Sequence, residues 1–270
     1  MSAPLISVIM PVYNTAPFLK EAIESVLIQT ERDFELIIIN DASSDESKSI
    51  IDQFIDDRIR VIQNEKNLGL AVTLNKGIRA ATGKYIARMD GDDISLPKRF
   101  EEQLKEIKQG DRNSIVCSTC ILIDEKGNKI GNWKDDSKYC TPIEIRNQLP
   151  SNNCIVHPSI FVRRDLLSEF FYDPEQQESE DYDLWLRMAS DGVLFNKIAN
   201  PLVLHRIRKN SFTRSKQQNV FFKLFRVKLI FLFHEIIKGR INGFMLKTFF
   251  YAILDLVKGV LKMIKKRFSK

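Results

Sequence analysis

Three carboxylates lie within four positions in the segment ARMDGDDISLP, where Asp90, Asp92 and Asp93 follow an apolar run. Like charges this close together repel one another unless a cation or hydrogen-bond donors hold them. Carboxylate oxygens are the ligands that hard divalent cations such as Mg²⁺ and Mn²⁺ prefer, and these ions usually keep coordination positions for substrate phosphates. The cluster therefore indicates a metal site that suits a nucleotide diphosphate.

A solvated turn is the alternative interpretation of this cluster. In that interpretation Gly91 supplies a positive φ angle and the three side chains face water. A position at the end of a predicted strand favours a ligand site instead, because ligands bind beyond the carboxyl ends of the strands in open α/β sheets. The sequence contains neither GxGxxG nor GxxxxGK[ST], so a metal ion would have to hold the phosphates.

Strand-like apolar runs alternate with helix-like segments through the first half of the chain. Each of four strand-like runs is followed by a helix-like segment: 5–12 by 16–29, 34–41 by 44–55, 58–64 by 70–81, and 84–90 by 97–108. Four such units predict an α/β fold, with a parallel sheet that carries helices on both faces. The strand ends then bring Tyr13, Asn14, Asp41 and the aspartate cluster to one crevice.

The charge of the chain is divided unevenly. The net charge of +6 combines −9 over the first 205 residues with +15 from Arg206 onward, where 17 lysines and arginines accompany two acids. The N-terminus lacks the basic region and long apolar run of a signal peptide, and the four cysteines show no disulfide-framework spacing. These features predict a cytoplasmic protein with reduced thiols.

The last part of the chain is basic and rich in phenylalanine, but it has no uncharged apolar run near the roughly 18 residues that a spanning helix needs. Apolar residues recur there at helical spacing, with lysines mostly on the other side: Phe250, Ile253, Leu254, Val257, Leu261 and Ile264. This pattern is typical of helices that lie in the interface of an anionic membrane. The alternative is a helix packed on the preceding domain. No nucleic acid partner is expected, because a phenylalanine-rich stripe fits lipid better than bases.

Five motifs, in order, resemble those of the family-2 glycosyltransferases with a GT-A fold. They are PVYN at 11–14, NDASSD at 40–45, NLG at 67–69 with Asn75 and Gly77, MDGDD at 89–93, and SEDYDLWLRM at 179–188. The resemblance implies a Rossmann-like GT-A catalytic domain over residues 1–215, which leaves residues 216–270 as a basic amphipathic membrane-associating tail. It also implies a hexosyl- or hexosaminyltransferase that inverts the anomeric carbon.

The resemblance assigns roles around the donor. PVYN lies against the base and ribose, Asp41 pairs with uracil, and Asp90 and Asp92 contact the ribose and a Mn²⁺ or Mg²⁺ ion, with Asp93 as a third acid. The implied metal ligands are thus Asp92 and Asp90. The implied nucleotide-sugar-binding residues are Pro11, Val12, Tyr13, Asn14, Asp41, Asn67, Asp90, Gly91 and Asp92.

The resemblance also places the catalytic base at Asp181, with Glu180 beside it. Inversion requires a group that deprotonates the acceptor hydroxyl on one face while a metal steadies the leaving diphosphate on the other. The same segment has the pattern of a helix start, with Ser179 as N-cap and a buried stripe of Leu184, Trp185 and Met188. A carboxylate at a helix N-terminus is expected to have a lowered pKa.

Residues that could lie on the acceptor or diphosphate side are His157, Trp185, Arg206 and Arg208. His157 equally suits a structural hydrogen bond. In HRIRKNS, residues 205–211, His205 stands where the family usually has tyrosine and Arg208 where it has histidine. Arginine can pair with phosphate but cannot bind a metal. Asn40 replaces the first acid of a usual pair, which leaves Asp41 alone at the base pocket.

Three classes of function fit these features. The leading one is a metal-dependent inverting glycosyltransferase, peripherally attached to the cytoplasmic face of the inner membrane. Its expected donor is UDP-linked, and its expected acceptor is a hydroxyl of a lipid-linked or growing glycan in lipopolysaccharide or capsule synthesis. A Mg²⁺ phosphohydrolase is the second class, although Ile94 occupies a position where such enzymes usually carry threonine or valine. A non-catalytic membrane adaptor is the third.

Overall fold

The structure is a computed structural model that describes residues 3–133, 136–176, 179–208 and 220–268. Its first half alternates strands and helices as predicted. In chain order these elements are β1 (Ile6–Val12), α1 (Ala16–Leu27), β2 (Phe34–Asn40), α2 (Ser47–Ile51), β3 (Ile59–Gln63), α3 (Leu70–Ala80), β4 (Tyr85–Arg88), β5 (Ile94–Ser95) and α4 (Arg99–Gln109).

The second half begins with a long strand and ends with two long helices. Its elements are β6 (Ser114–Ile123), β7 (Lys129–Asn132), α5 (Pro142–Gln148), β8 (Phe161–Arg163), α6 (Arg164–Phe170), α7 (Glu180–Ser190), β9 (Leu194–Arg206), α8 (Val220–Ile237) and α9 (Gly243–Phe268). Single 3-10 turns lie at Asp136–Lys138 and His157–Ser159. Helix α7 begins where the SEDYD motif predicts a helix start.

Helix α2 is shorter than the predicted helix over residues 44–55. The residues before it form side-chain bonds to the backbone: Asn40 Oδ1 accepts from Ser43 N at 3.1 Å, and Asp45 Oδ1 accepts from Ser47 N at 3.0 Å. Bonds of this kind offer the backbone an alternative to helical pairing. The serine- and aspartate-rich segment therefore forms a turn at the carboxyl end of β2.

Within the described residues, the strands form one sheet in the order β3-β2-β1-β4-β8-β6-β9-β5, with β7 paired to β6. The first four strands pair in parallel, which confirms the prediction for that half. The second half is mixed, because β8 runs antiparallel to both β4 and β6 while β9 runs parallel to β6. Strand β5, which follows the aspartate cluster in the chain, pairs antiparallel with β9 and forms the edge of the sheet opposite β3.

The central strands are buried on both faces, as parallel strands between two helix layers usually are. In β1, Ile9 joins the core under α3 and α7, whereas Val8 and Met10 join the core under α1 and α4. Alternate residues of β2 divide in the same way, with Ile37 on one side and Ile38 on the other. Helices therefore cover both faces, as predicted.

Helix α8 packs on the outside of α7, and α9 packs against α8. The side chains that join the core shared with α3 and α7 are Val227, Phe231, Leu232, Phe244 and Met245. The Phe231 and Phe244 rings meet edge to face, with centroids 6.2 Å apart. The predicted boundary between residues 215 and 216 lies outside the described residues, but the inner face of the tail is continuous with the core of the catalytic domain.

The outer face of α9 is exposed. Five of the six residues of the predicted apolar stripe are exposed: Phe250, Ile253, Val257, Leu261 and Ile264. The sixth, Leu254, is partly buried. Among the described residues, no helix combines the length and apolarity needed to cross a membrane.

Candidate active site

The aspartate cluster follows β4 directly, at the carboxyl edge of the parallel strands. Carboxylate oxygens of Asp90, Asp92 and Asp93 lie within 4.8 Å of one another. Asp93 is fully buried and the other two side chains are partly buried. The arrangement is thus a converging group of oxygen ligands and differs from a solvated turn.

Each carboxylate of the cluster has a cationic partner. Asp90 pairs with Arg88 at 2.5 Å, Asp92 with Arg208 at 2.7 Å, and Asp93 with His205 Nδ1 at 2.9 Å. These pairs link β4, the segment after β9 and the end of β9 to the cluster. They partly offset the repulsion among the three acids.

The pKa values of the cluster reflect burial and crowding. Burial raises the pKa of Asp92 to about 7, and the charges of Asp93 and Asp90 add to the rise. Burial also raises the pKa of Asp90. For His205, burial acts to lower the pKa, but the charge and hydrogen bond of Asp93 outweigh it and bring the value to about 9. Burial therefore disfavours the ionised forms of Asp90 and Asp92 even with these cationic partners, and a bound cation would stabilise them.

Gly91 is required for space. The positive φ that the solvated-turn interpretation assigns to this residue is not found, because its φ lies outside the left-handed region. A Cβ atom at Gly91 would lie 3.0 Å from Thr15 Oγ1, 3.2 Å from Val12 Cγ2 and 3.3 Å from Leu19 Cδ1. The turn therefore packs its backbone directly against β1 and α1.

Arg206 holds the backbone of the cluster. Its N–H donates to Asp93 Oδ1 at 2.8 Å, and its side chain donates to Asp92 O at 2.8 Å. The guanidinium also pairs with Glu21 at 2.6 Å and lies 4.8 Å from the centroid of the Phe18 ring. Since Arg206 is only 4% exposed, its position indicates that it fixes the turn, and its predicted contact with the acceptor or diphosphate stays a prediction.

The PVYN motif spans the end of β1. Pro11 and Val12 are buried strand residues, whereas Tyr13 is 49% exposed. Asn14 has a left-handed backbone, with φ 52°, and its side-chain oxygen accepts from Ser44 N at 2.8 Å. Tyr13 is therefore the residue of this motif that presents the largest open surface for a nucleobase.

Asp41 ties the end of β2 to the loop before α3. Its Oδ1 accepts from Asn64 Nδ2 at 2.7 Å and from Leu68 N at 2.9 Å, and its Oδ2 accepts from Gly69 N at 3.0 Å. Asn67 Nδ2 lies 3.5 Å from the Asp41 carbonyl oxygen. The uracil contact of Asp41 stays a prediction, and the structure shows that this carboxylate also orders the loop beside the expected base pocket.

Asn40 uses both ends of its amide. Its Nδ2 donates to Gln63 Oε1 at 3.0 Å, and its Oδ1 accepts from Ser43 N at 3.1 Å. An ionised aspartate at this position could not donate to the glutamine. The departure from the usual acid pair is therefore compensated locally by bonds to β3 and to the turn before α2.

Asp181 lies in the first turn of α7. Its Oδ1 accepts from Tyr182 N at 2.7 Å and its Oδ2 accepts from Asn153 Nδ2 at 2.8 Å. Burial nevertheless raises the pKa of Asp181, so the expectation of a lowered pKa is wrong. Removal from water at this position outweighs the helix terminus and the two hydrogen bonds. Burial and the charge of Asp181 also raise the pKa of neighbouring Glu180, to about 8.

Arg88 links the two groups of acids and was missed in the sequence analysis. Its side chain is 4% exposed and its guanidinium pairs with Asp90. The same charge opposes the effect of burial on the pKa values of Glu180 and Asp181. Asp90 and Asp181 therefore share one electrostatic environment. An arginine inside the otherwise hydrophobic run YIARM was the signal that could have identified it.

His157 and Trp185 lie behind the site. His157 Nε2 is 2.8 Å from Tyr172 Oη, and its ring meets Trp185 edge to face with centroids 5.8 Å apart. Burial lowers the pKa of His157 well below its usual value, which keeps the ring neutral. Trp185 is fully buried, as the stripe on α7 predicts. The structural hydrogen bond considered for His157 is thus present, and acceptor contact by either residue stays a prediction.

Comparison with known proteins gives consistent matches. The model of Glycosyl transferase family 2 matches residues 7–171. An uncharacterized glycosyltransferase of Methanocaldococcus jannaschii is 38% identical over 227 residues, which cover 82% of this chain and 78% of that protein. The O-antigen biosynthesis glycosyltransferase WbnJ of Escherichia coli is 33% identical over 218 residues, which cover 78% of this chain and 83% of that protein.

Solved structures show the same fold. S. aureus TarS 1-349 in complex with UDP-GlcNAc matches with a TM-score of 0.67 at 17% identity, and the match covers 84% of this chain and 66% of the TarS chain. The complex of the same protein with UDP matches with a TM-score of 0.64 at 16% identity, over 84% of this chain and 65% of the other. Together with the family match and the curated relatives, this shows that the chain is a glycosyltransferase of family 2 with a GT-A fold.

Proposed function

We propose that this glycosyltransferase moves a sugar from a UDP-linked donor to a hydroxyl of a lipid-linked or growing surface glycan, with inversion of the anomeric carbon. The proposal rests on the convergence of Asp90, Asp92 and Asp93 at the carboxyl edge of the parallel strands. Arg88 pairs with Asp90 there, and its charge also acts on Asp181. TarS complexes with UDP and UDP-GlcNAc support a uridine nucleotide. The O-antigen role in the name of WbnJ supports a surface glycan as the acceptor.

The donor set at the cluster fits a hard divalent cation. Three carboxylates supply oxygen ligands within 4.8 Å, and burial raises the pKa values of Asp90 and Asp92, so their ionised forms are poorly stabilised by the protein alone. Asp90 and Asp92, with Asp93, would hold Mn²⁺ or Mg²⁺, which would supply Lewis-acid stabilisation of the leaving diphosphate. Arg208 lies beside Asp92, where its guanidinium can turn from that carboxylate to a diphosphate oxygen.

In this proposal Asp181 acts as the general base. In its ionised form it accepts the proton of the acceptor hydroxyl while that oxygen forms the new bond to the anomeric carbon. The bond from that carbon to the diphosphate oxygen breaks on the opposite face. The bonds from Tyr182 N and Asn153 hold the carboxylate in one orientation, and its raised pKa makes it a stronger base.

We also propose that α9 attaches the enzyme to a membrane. Exposed apolar side chains recur at spacings of three and four along this helix: Leu246, Phe249, Phe250, Ile253, Leu256, Val257, Val260, Leu261 and Ile264. Lys258, Lys262 and Lys265 are exposed on the same helix. A continuous apolar surface with neighbouring lysines suits an anionic bilayer, which supports peripheral membrane attachment. We propose that the membrane is the inner membrane and that the enzyme lies at its cytoplasmic face.

A calorimetric titration tests the donor site. UDP should bind the unmodified chain more tightly with Mn²⁺ or Mg²⁺ than with EDTA, because the cation bridges the acids and the diphosphate. Asp92→Asn should abolish this enhancement and leave the metal-free affinity within about twofold. Asp111→Asn, on the exposed turn after α4, is a matched control of the same change. Enhancement that survives Asp92→Asn would remove the cluster from the donor site.

A further inference from the structure

We infer that Lys228 of α8 is a positioning residue for the catalytic base, which it reaches through the segment 149–153; this inference rests on the proposed function. The Lys228 side chain is fully buried between α7 and α9. Its Nζ pairs with Asp255 Oδ2 at 2.5 Å and donates to Ser151 O at 2.8 Å. One ammonium group thus joins α8, α9 and the backbone of the segment after α5.

The segment held by Lys228 carries the side chain that binds the base. Two residues after Ser151, Asn153 donates from Nδ2 to Asp181 Oδ2 at 2.8 Å. Asn153 Oδ1 accepts from Ile155 N at 3.0 Å, which fixes the amide orientation and leaves its donor end toward Asp181. A short bonded path therefore runs from Lys228 through the segment backbone to the carboxylate.

Lys228 also lies against the start of α7. Its Nζ is 6.0 Å from the centroid of the Tyr182 ring, and Tyr182 Oη donates to Leu149 O at 2.6 Å. The backbone N–H of Tyr182 is itself a donor to Asp181. Lys228 thus contacts both structures that orient the base: the segment with Asn153 and the first turn of the helix.

Charge pairing alone does not explain this arrangement. Two apolar side chains of similar volume commonly replace a buried ion pair without loss of stability. They cannot donate to Ser151 O, however, and the segment would lose its fixed point on α8. This difference separates a positioning role from a merely stabilising one, since an apolar replacement should restore stability and leave the base misplaced.

The test is the double variant Lys228→Met with Asp255→Leu, which removes both charges together. We expect its melting temperature to stay close to that of the unmodified chain. Hydrogen-exchange protection of residues 149–155 should fall, and kcat should fall about tenfold to a hundredfold while UDP affinity changes by less than about twofold. Arg240→Met with Asp191→Asn, which breaks another ion pair between the tail and α7, is the matched control and should leave kcat and this protection unchanged.

A double-mutant cycle with Asn153→Ala completes the test. If Lys228 acts through Asn153, the kcat loss of the combined variant should be no larger than that of Asn153→Ala alone. A folded double variant with full protection of residues 149–155 would overturn the inference, and so would multiplicative losses in the cycle. Because hydrogen exchange needs no substrate, it decides the inference even if the unmodified chain transfers no sugar, a result that would instead contradict the proposed function.

Discussion

Asp181 and Asp92 are both partly buried carboxylates with raised pKa values, yet their surroundings suit different tasks. Asp181 has two neutral hydrogen-bond donors, Asn153 and Tyr182 N, which orient the carboxylate and lower its pKa by less than burial raises it. Asp92 lies among two other acids and is paired with Arg208. This contrast predicts that substitution of Asp181 impairs the chemical step, whereas substitution of Asp92 impairs donor binding.

We expect Asp181→Asn to lower kcat by about 10²–10⁴-fold, the usual contribution of a general base. UDP affinity should change by less than about twofold, because the base acts on the acceptor. Turnover and calorimetric UDP affinity would be measured on the same preparation. Glu180→Gln is the control, since the raised pKa of Glu180, about 8, already keeps much of this side chain protonated at neutral pH. Near-normal turnover of Asp181→Asn would contradict the assignment.

The pKa shifts also predict a pH dependence of rate and stability in opposite directions. Because burial raises the pKa of Asp181, kcat should fall as the pH is lowered, and the fall should begin at a higher pH than the usual aspartate pKa of 3.8 would give. Glu180 binds its proton more tightly in the folded chain than in the unfolded chain. Its contribution to stability is therefore complete below the usual glutamate pKa of 4.5 and is lost as the pH rises to about 8.

Thermal unfolding of the unmodified chain and Glu180→Gln checks this linkage. At about pH 9 the variant should melt at a higher temperature than the unmodified chain, by roughly 2–4 °C for each kcal/mol gained in the free energy of unfolding. At about pH 5 the two melting temperatures should be nearly equal. Equal differences at both pH values would show that Glu180 is not held with a raised pKa.

The acids themselves were predictable from the sequence, because their spacing and strand-end position are local. The partners were not. Arg88 beside Asp90, the bonds of Asp41 to the loop before α3, and the raised pKa of Asp181 all depend on burial that distant segments impose. A helix N-terminus alone predicts the opposite shift for Asp181, which shows that local rules fail where desolvation dominates.

At the element scale, the turn after β4 depends on the absence of a side chain at Gly91. We expect Gly91→Ala to destabilise the fold by about 1–3 kcal/mol, because the added methyl group meets Val12 and Leu19, which are fully buried. Gly110→Ala, after α4, is the matched control, since its nearest neighbour would be 3.3 Å away and its backbone is extended. With one neighbour at 3.3 Å and the next two at 3.6 Å, that change should lie within about 1 kcal/mol of neutral.

Urea denaturation of both variants measures these two values. A Gly91→Ala variant as stable as Gly110→Ala would show that the turn can move away from β1 and α1, and the cluster geometry would then be less constrained than the structure indicates.

Elements with local signals were predicted well, as the four β-α units of the first half and the start of α7 show. The mixed half of the sheet was not predicted. Strands β8, β6 and β9 pair across connections of many residues, and their order follows from long-range contacts that periodicity does not report. The β5–β9 pairing matters most for function, because it brings His205 and Arg206 to Asp93.

At the scale of the whole molecule, α8 and α9 have two faces with different partners. The inner face supplies Phe231, Phe244 and Met245 to the core, so a truncation near Lys216 should destabilise the catalytic domain and is a poor test of attachment. Substitutions on the outer face avoid this problem. We expect Phe250→Ser, Val257→Ser and Leu261→Ser together to leave the melting temperature close to normal, because these side chains are exposed.

Flotation with liposomes measures the attachment of that variant. The unmodified chain should float with anionic vesicles at low salt and less at high salt, since each basic residue near the surface contributes about 1 kcal/mol. The triple variant should float poorly at both salt concentrations. Ile55→Ser, with a side chain that is 99% exposed far along the chain from α9, is the control. An unmodified chain that ignores anionic vesicles would contradict the membrane proposal.

In the proposed reaction, this chain transfers a sugar from a UDP-linked donor, with the Asp90–Asp93 cluster at the metal and diphosphate and Asp181 as the base. The most direct test is a panel of nucleotide sugars assayed for release of nucleotide diphosphate with Mn²⁺, with Mg²⁺ and with EDTA. We expect at least one UDP-sugar to release UDP only when a metal is present, and we expect Asp92→Asn and Asp181→Asn each to abolish this release. Metal-independent release, release that survives both substitutions, or phosphate release from generic esters with no UDP-sugar turnover would contradict it.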